Sequence, residues 1–212
     1  MGEVGILGES DELIDGVVYF KGLGKPWHWT VDDYDAMYEA GIIDRNERVE
    51  LIDGEIITLG PIGPEHMESV ARLNRVLLRL EGAFGPEYCV IPEAPIGATS
   101  DFKPQPDIMV AKGDLGDFGE RGLAVSDIRL VVEVSKSTLR TDRKRKFLLY
   151  GQLGIPEYWI VNLQSRQLEV YRDPSGGGYG TQSTLNPDES VTPLFAPNIR
   201  IAVSEILPRG PR

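Results

Sequence analysis

The chain has 212 residues, 26% of them charged, with a net charge of -11 and a pI near 4.7. That length carries a sizeable core in one globular domain, and the acidity excludes non-specific coating of nucleic acid, which needs broad positive charge. A single cysteine, Cys89, excludes an intrachain disulfide and a Cys-based zinc site, and with only His28 and His66 a multi-histidine metal site is excluded too.

Residues 1–26 are Gly-rich and acidic at their start, MGEVGILGESDELIDG, which is unlike a signal peptide. They read as a loose leader in which residues 17–20 could add an edge strand. No apolar run reaches the roughly 18 residues that a membrane helix needs, so a cytoplasmic protein without a membrane partner is expected. Thr30 is a good N-cap for the helix VDDYDAMYEAG, with Asp32 and Asp33 in its first turn and Gly41 at its end. Asp53-Gly54 between two β-rich runs predicts a hairpin over residues 48–59, with Glu50 and Ile52 sharing one face.

A helix follows over residues 65–80, where His66, Val70, Leu73, Leu77 and Leu80 recur at helical spacing. Strands are expected over 88–91 and 106–111, with a strand broken by Pro and Gly over 92–103 between them and a Gly/Asp-rich loop over 112–125. Leu130, Val131, Val132 and Val134 form a short buried strand around Glu133. A carboxylate there costs several kcal/mol unless something compensates it. The strand runs into a basic segment, residues 136–146, with six Lys or Arg and one Asp. A helix over 143–153 carries Lys146, Leu149, Tyr150 and Leu153 on one side, and Gly154 and Pro156 end it. Strands over 157–161 and 167–171, a flexible tip over 173–180, and weaker strands over 191–195 and 199–203 complete the chain. The strand–helix–strand alternation around Val132 and Ile160 implies a parallel crossover in a mixed α/β sheet.

Three constellations could carry chemistry. Asp107 and Glu133, from neighbouring strands, could hold a hard divalent cation through oxygen ligands; alternatively Asp107 is a turn residue and Glu133 half-exposed. Lys146 could stabilise phosphorane charge, or simply pair with Asp142 one turn away. His66 could complete a metal shell, or be a capping or core histidine, and Glu50 could face solvent.

Taken together, RVELIDGEI, Pro64-Glu65-His66, QPDIMVA, LVVEVSKST, Asp142-Arg143-x-x-Lys146 with Tyr150, and GIPEYWIVN resemble the Uma-two family, a bacterial endonuclease group in the PD-(D/E)XK, restriction-endonuclease-like superfamily. The resemblance spans about residues 28–173 and extends more weakly to 207. It implies a restriction-endonuclease-like core with flanking helices and extra C-terminal strands, in a single domain over 27–207 between the leader and a tail at 208–212. It also implies one Mg²⁺ or Mn²⁺ held by Asp107, Glu133, the Val134 backbone and His66, with Glu50 in the same catalytic set. The superfamily lysine would fall at Ser135; Lys146 stands where the family supplies it from the following helix. Asn162 replaces the family's usual aspartate, a change expected to be structural.

DNA is then the implied partner, with Arg140, Arg143, Lys144 and Arg145 beside it, and a homodimer is expected by analogy. Two other readings remain open. One is a catalytically silent nucleic-acid-binding or dimeric scaffold, which the acidity and the absent (D/E)XK lysine favour. The other is a hydrolase of a small phosphorylated molecule.

Overall fold

The computed structural model describes residues 11–14, 17–20, 27–44, 46–97 and 99–210. The remainder of the expected leader and the end of the tail lie outside the described residues. Contacts divide the chain into two compact units, Met1–Gly60 with Ala98–Pro104, and Pro61–Gly97 with Gln105–Arg212.

In the first unit β1 (Asp11–Ile14) and β2 (Val17–Phe20) pair antiparallel. Helix α1 (Val31–Glu39) starts where its cap predicts: Thr30 and Asp33 each accept the other's backbone N–H. Its Tyr34 buries against Ile43, Val49 and Leu51 and donates its hydroxyl to the Val49 carbonyl at 2.9 Å. The predicted hairpin forms from β3 (Val49–Ile52) and β4 (Glu55–Thr58). Asp53 and Gly54 both take positive φ, the turn whose twist matches that of the strands.

The second unit is built on a six-stranded mixed sheet, β5 (Tyr88–Pro92), β6 (Ile108–Lys112), β7 (Ile128–Ser135), β8 (Glu157–Asn162), β9 (Gln167–Ser175) and β10 (Gly178–Leu185), in the order β10-β9-β8-β7-β6-β5. Only β7 and β8 run parallel; the other pairs are antiparallel. That pair is covered on both faces, which explains why the residues around Glu133 in β7 and residues 158–161 of β8 are apolar. Val132 and Val134 of β7 and Trp159 and Val161 of β8 pack in one core with Leu73, Val76 and Leu77 of the long helix α2 (Pro64–Phe84).

The opposite face carries the crossover helix: α4 (Leu139–Thr141), a π-helical segment (Asp142–Lys146) and α5 (Phe147–Gln152), continuous in backbone conformation. Phe147 bonds back to the Asp142 carbonyl, five residues earlier, which defines the wider turn. Beneath α5, Tyr150, Tyr158, Tyr171, Tyr179 and Phe147 make a ladder of ring contacts. Helix and sheet are in close backbone contact at Gly151. A Cβ there would lie 2.1 Å from the Gly178 carbonyl oxygen, so neither backbone tolerates a side chain between them.

Several predicted elements shift. The broken strand expected over 92–103 reduces to isolated bridges, Leu51 with Lys103 and Thr99 with Phe102. The loop over 112–125 contains a short helix, α3 (Leu115–Arg121), capped by Asp114; none of its residues is buried, so it leaves no apolar stripe to read. The tip over 173–180 is instead the end of a long β9–β10 hairpin, with its turn confined to residues 176–177, and β10 is a strand through its pairing with β9 although most of it is exposed. The crossover helix begins at Leu139, four residues early, and α2 runs on past Gly82 to Phe84. The weak C-terminal strands shrink to two residues each, β11 (Ser190–Val191) and β12 (Ile201–Ala202), followed by α6 (Val203–Ile206).

Candidate active site

Strand alternation sends Glu133 and Ser135 to the face opposite Val132 and Val134, beneath the crossover helix. On that helix Asp142, Lys146 and Tyr150 recur at i, i+4 and i+8. Two strand residues advance by about 6.6 Å and four helical residues by about 6 Å, so the two rows match step for step. Ser135 Oγ hydrogen-bonds directly to Asp142 Oδ2. Two residues earlier on the strand, Glu133 Oε1 accepts from Lys146 Nζ at 3.0 Å and from the Tyr150 hydroxyl at 2.9 Å. Lys146 Nζ also lies 3.7 Å from Asp142 Oδ1. All of these side chains are buried, with Glu133 5% and Lys146 4% exposed. The acid that the sequence leaves unexplained is therefore compensated by an ammonium and a hydroxyl from the helix.

Asp107 stands at the head of β6. The register pairs Ile108 with Val132, so one further step sets Asp107 opposite Glu133. Its carboxylate reaches across to β7 and accepts the Val134 N–H at 2.7 Å, while His66 Nε2, on the first turn of α2, lies 3.2 Å from its other oxygen. His66 Nδ1 is buried without a hydrogen-bond partner. Asp107, Glu133, Lys146, His66 and the Val134 backbone thus belong to one end of the second unit's sheet. Glu50 is buried in the middle of β3, in the first unit.

The expected basic residues divide. Arg140 and Lys144 are exposed. Arg143 is turned onto Glu169 of β9 in a two-pronged contact, Nε to Oε2 at 2.9 Å and an η nitrogen to Oε1 at 2.6 Å. Burial opposes ionisation of Glu169, but hydrogen bonds from Arg143, Tyr171 and Asn162 outweigh it and hold its carboxyl below the usual range. Asn162 also accepts the backbone N–H groups of Gln164 and Ser165, closing the turn after β8, which is the structural part its sequence position suggested. Arg145 is half-buried.

Sequence reading gave Asp142 as an i, i+4 partner of Lys146, a contact that the fold holds at 3.7 Å, and missed the Ser135–Asp142 and Tyr150–Glu133 bonds. The i, i+4, i+8 spacing on the helix and the i, i+2 spacing on the strand were the available signals.

Among the described residues no three His, Cys, Asp or Glu side chains are grouped so as to hold a metal ion. A two-carboxylate site for a small hard cation needs no third, because Mg²⁺ keeps several waters and shares its shell with substrate phosphate. The donors fit that pattern. Asp107 and Glu133 supply carboxylate oxygens from neighbouring strands, and His66, whose Nε2 meets Asp107, keeps an orphaned buried Nδ1. In their place the Val134 N–H and the Lys146 ammonium satisfy the two acids.

The sequence profile of a family described as "Putative restriction endonuclease" matches residues 31–204. No curated protein matches the chain. Among solved structures, the chain resembles one titled "Crystal structure of a putative nuclease belonging to DUF820 from Anabaena variabilis ATCC 29413". It is 16% identical, with a TM-score of 0.62 over 84% of this chain and 96% of that one. This likeness shows the fold. The type IIG restriction endonuclease BpuSI aligns with 55% of this chain and 12% of its own, at 17% identity and a TM-score of 0.35.

Proposed function

The chain belongs to the Uma2 family, and from that premise we propose that it is a divalent-metal-dependent endonuclease hydrolysing DNA phosphodiester bonds. The observation that carries the reading is the arrangement around Glu133. A buried acid on the central strand pair faces a buried lysine, and a second acid stands opposite it at the head of the next strand.

Asp107 and Glu133, with the Val134 carbonyl, would hold Mg²⁺ or Mn²⁺, and His66 would complete or orient that shell through Asp107. Such a cation polarises the scissile phosphate and lowers the pKa of bound water. The chain's own part is positional. β6 and β7 fix the spacing of the two acids through the Val134 N–H. Lys146 supplies fixed positive charge where the pentavalent phosphorus would gather negative charge. Arg140 and Lys144, exposed on the same helix, would meet flanking phosphates.

Plasmid nicking in Mn²⁺ tests the reading, with Glu133→Gln and Asp107→Asn as controls. Nicking by the wild type, lost in both variants, is expected; equal activity in wild type and Glu133→Gln sinks the assignment. The net charge of -11 favours a second reading, a catalytically silent DNA-binding scaffold. DNA binding with no nicking in any metal would select it.

A further inference from the structure

Lys146 lies between two carboxylates, 3.0 Å from Glu133 and 3.7 Å from Asp142. A divalent cation on Glu133 would confront the ammonium that occupies that oxygen, and two like charges at such range repel strongly in a buried site. The ammonium therefore needs another acceptor close by and already oriented. Asp142 meets each requirement. It is fully buried, it is one helical turn from Lys146, and Ser135 Oγ hydrogen-bonds to its other oxygen. The Asp142 carbonyl accepts from the Tyr158 hydroxyl at 3.3 Å, which anchors the same residue to β8 at the start of the π turn. The wide turn spans Asp142 to Lys146, the two residues concerned, and π-type turns frequently mark functional sites.

We propose that Asp142 is a positioning residue that takes over the Lys146 ammonium when Glu133 binds a divalent cation, with Ser135 holding the Asp142 carboxylate ready. The strand residue at the superfamily's lysine position thus serves that lysine indirectly: Ser135 fixes the acid that receives it. No bond is made or broken. The ammonium moves between two oxygens less than an ångström apart in their distance from Nζ. This rests on the metal-dependent reading above and extends it to residues outside the metal shell.

Calorimetric titration of the full chain with Mn²⁺ alone, without DNA, tests it. Asp142→Asn removes the receiving charge, leaves Lys146 on Glu133 and should weaken Mn²⁺ binding about tenfold, or about 1.4 kcal/mol. Lys146→Met removes the competitor and should bind Mn²⁺ more tightly than the wild type. In the double variant Asp142→Asn should then have no further effect. Ser135→Ala keeps both charges and should weaken binding several-fold, again only while Lys146 is present. It carries the test alone if a thermal melt shows Asp142→Asn unfolded.

Wild-type affinity in both Asp142→Asn and Ser135→Ala overturns the proposal. So does an Asp142→Asn loss of equal size with and without Lys146, which would make Asp142 a direct ligand. Mn²⁺ binding by the wild type that persists undiminished in Glu133→Gln overturns the metal-site reading itself, and the proposal with it.

Discussion

Lys146 and Glu133 meet at 3.0 Å across thirteen residues of sequence, with both side chains almost wholly removed from water. Such a pair is expensive to break from one side. Lys146→Met leaves a buried carboxylate without its ammonium partner, at an expected cost of about 3–5 kcal/mol. Adding Glu133→Gln removes the stranded charge, so the double variant should recover most of that loss. Urea unfolding of the four proteins in the cycle measures it. Additive losses would mean that the two residues are not coupled in solution.

Helix position is set elsewhere, at the touch of Gly151 against the Gly178 backbone. Gly151→Ala forces the two apart. Overpacking typically costs about 1–3 kcal/mol, and the displaced helix would carry Asp142 and Lys146 away from Ser135 and Glu133. The expected result is a lowered melting temperature together with a loss of Mn²⁺-dependent nicking larger than the stability change alone explains. An exposed control on the same helix, Leu148→Ala, should leave nicking unchanged.

These two relationships explain which parts of the molecule were legible beforehand. Thr30, Asp53-Gly54, Gly154 and Pro156 act through their own backbone neighbours, so the elements they bound were readable locally. The apolar run around Glu133 marked a buried strand, and the periodicity of α2 marked its core face. β10 was hidden because its strand state comes from pairing with β9, and its own residues are mostly polar and exposed. The part played by Asp142 was hidden for a related reason. Its partner Ser135 is on a different element, and which helix residue faces which strand residue is fixed by contacts such as Gly151 with Gly178. In sequence Asp142 reads only as a partner for Lys146 one turn away, and its complete burial comes only with the fold.

The acid limb of stability should carry the signature of Glu169. Its carboxyl is held below the ordinary value of 4.5 in the folded chain, so below about pH 4.5 the unfolded chain binds the proton more readily. The stabilisation is therefore complete above that pH and is lost as pH falls through the depressed folded value. Glu169→Gln, which weakens the Arg143 contact, should be clearly less stable than the wild type near neutral pH. The gap should narrow steadily as the pH drops below 4.5. Urea midpoints across the acid range test this, and a gap independent of pH would contradict it.

Among the described residues Arg140 and Lys144 meet no carboxylate, while their neighbour Arg143 is bound to Glu169. If the helix meets DNA through phosphates, each of the two free cations contributes close to one unit to the salt dependence of binding. Arg140→Gln with Lys144→Gln should therefore reduce the slope of log affinity against log salt by about two, without changing preference among sequences. Arg143→Gln should instead lower stability through the lost Glu169 contact and move the slope less. Fluorescence anisotropy with a labelled duplex at several KCl concentrations separates the two effects. A slope unchanged in the Arg140, Lys144 variant would remove this face of the helix from the DNA contact.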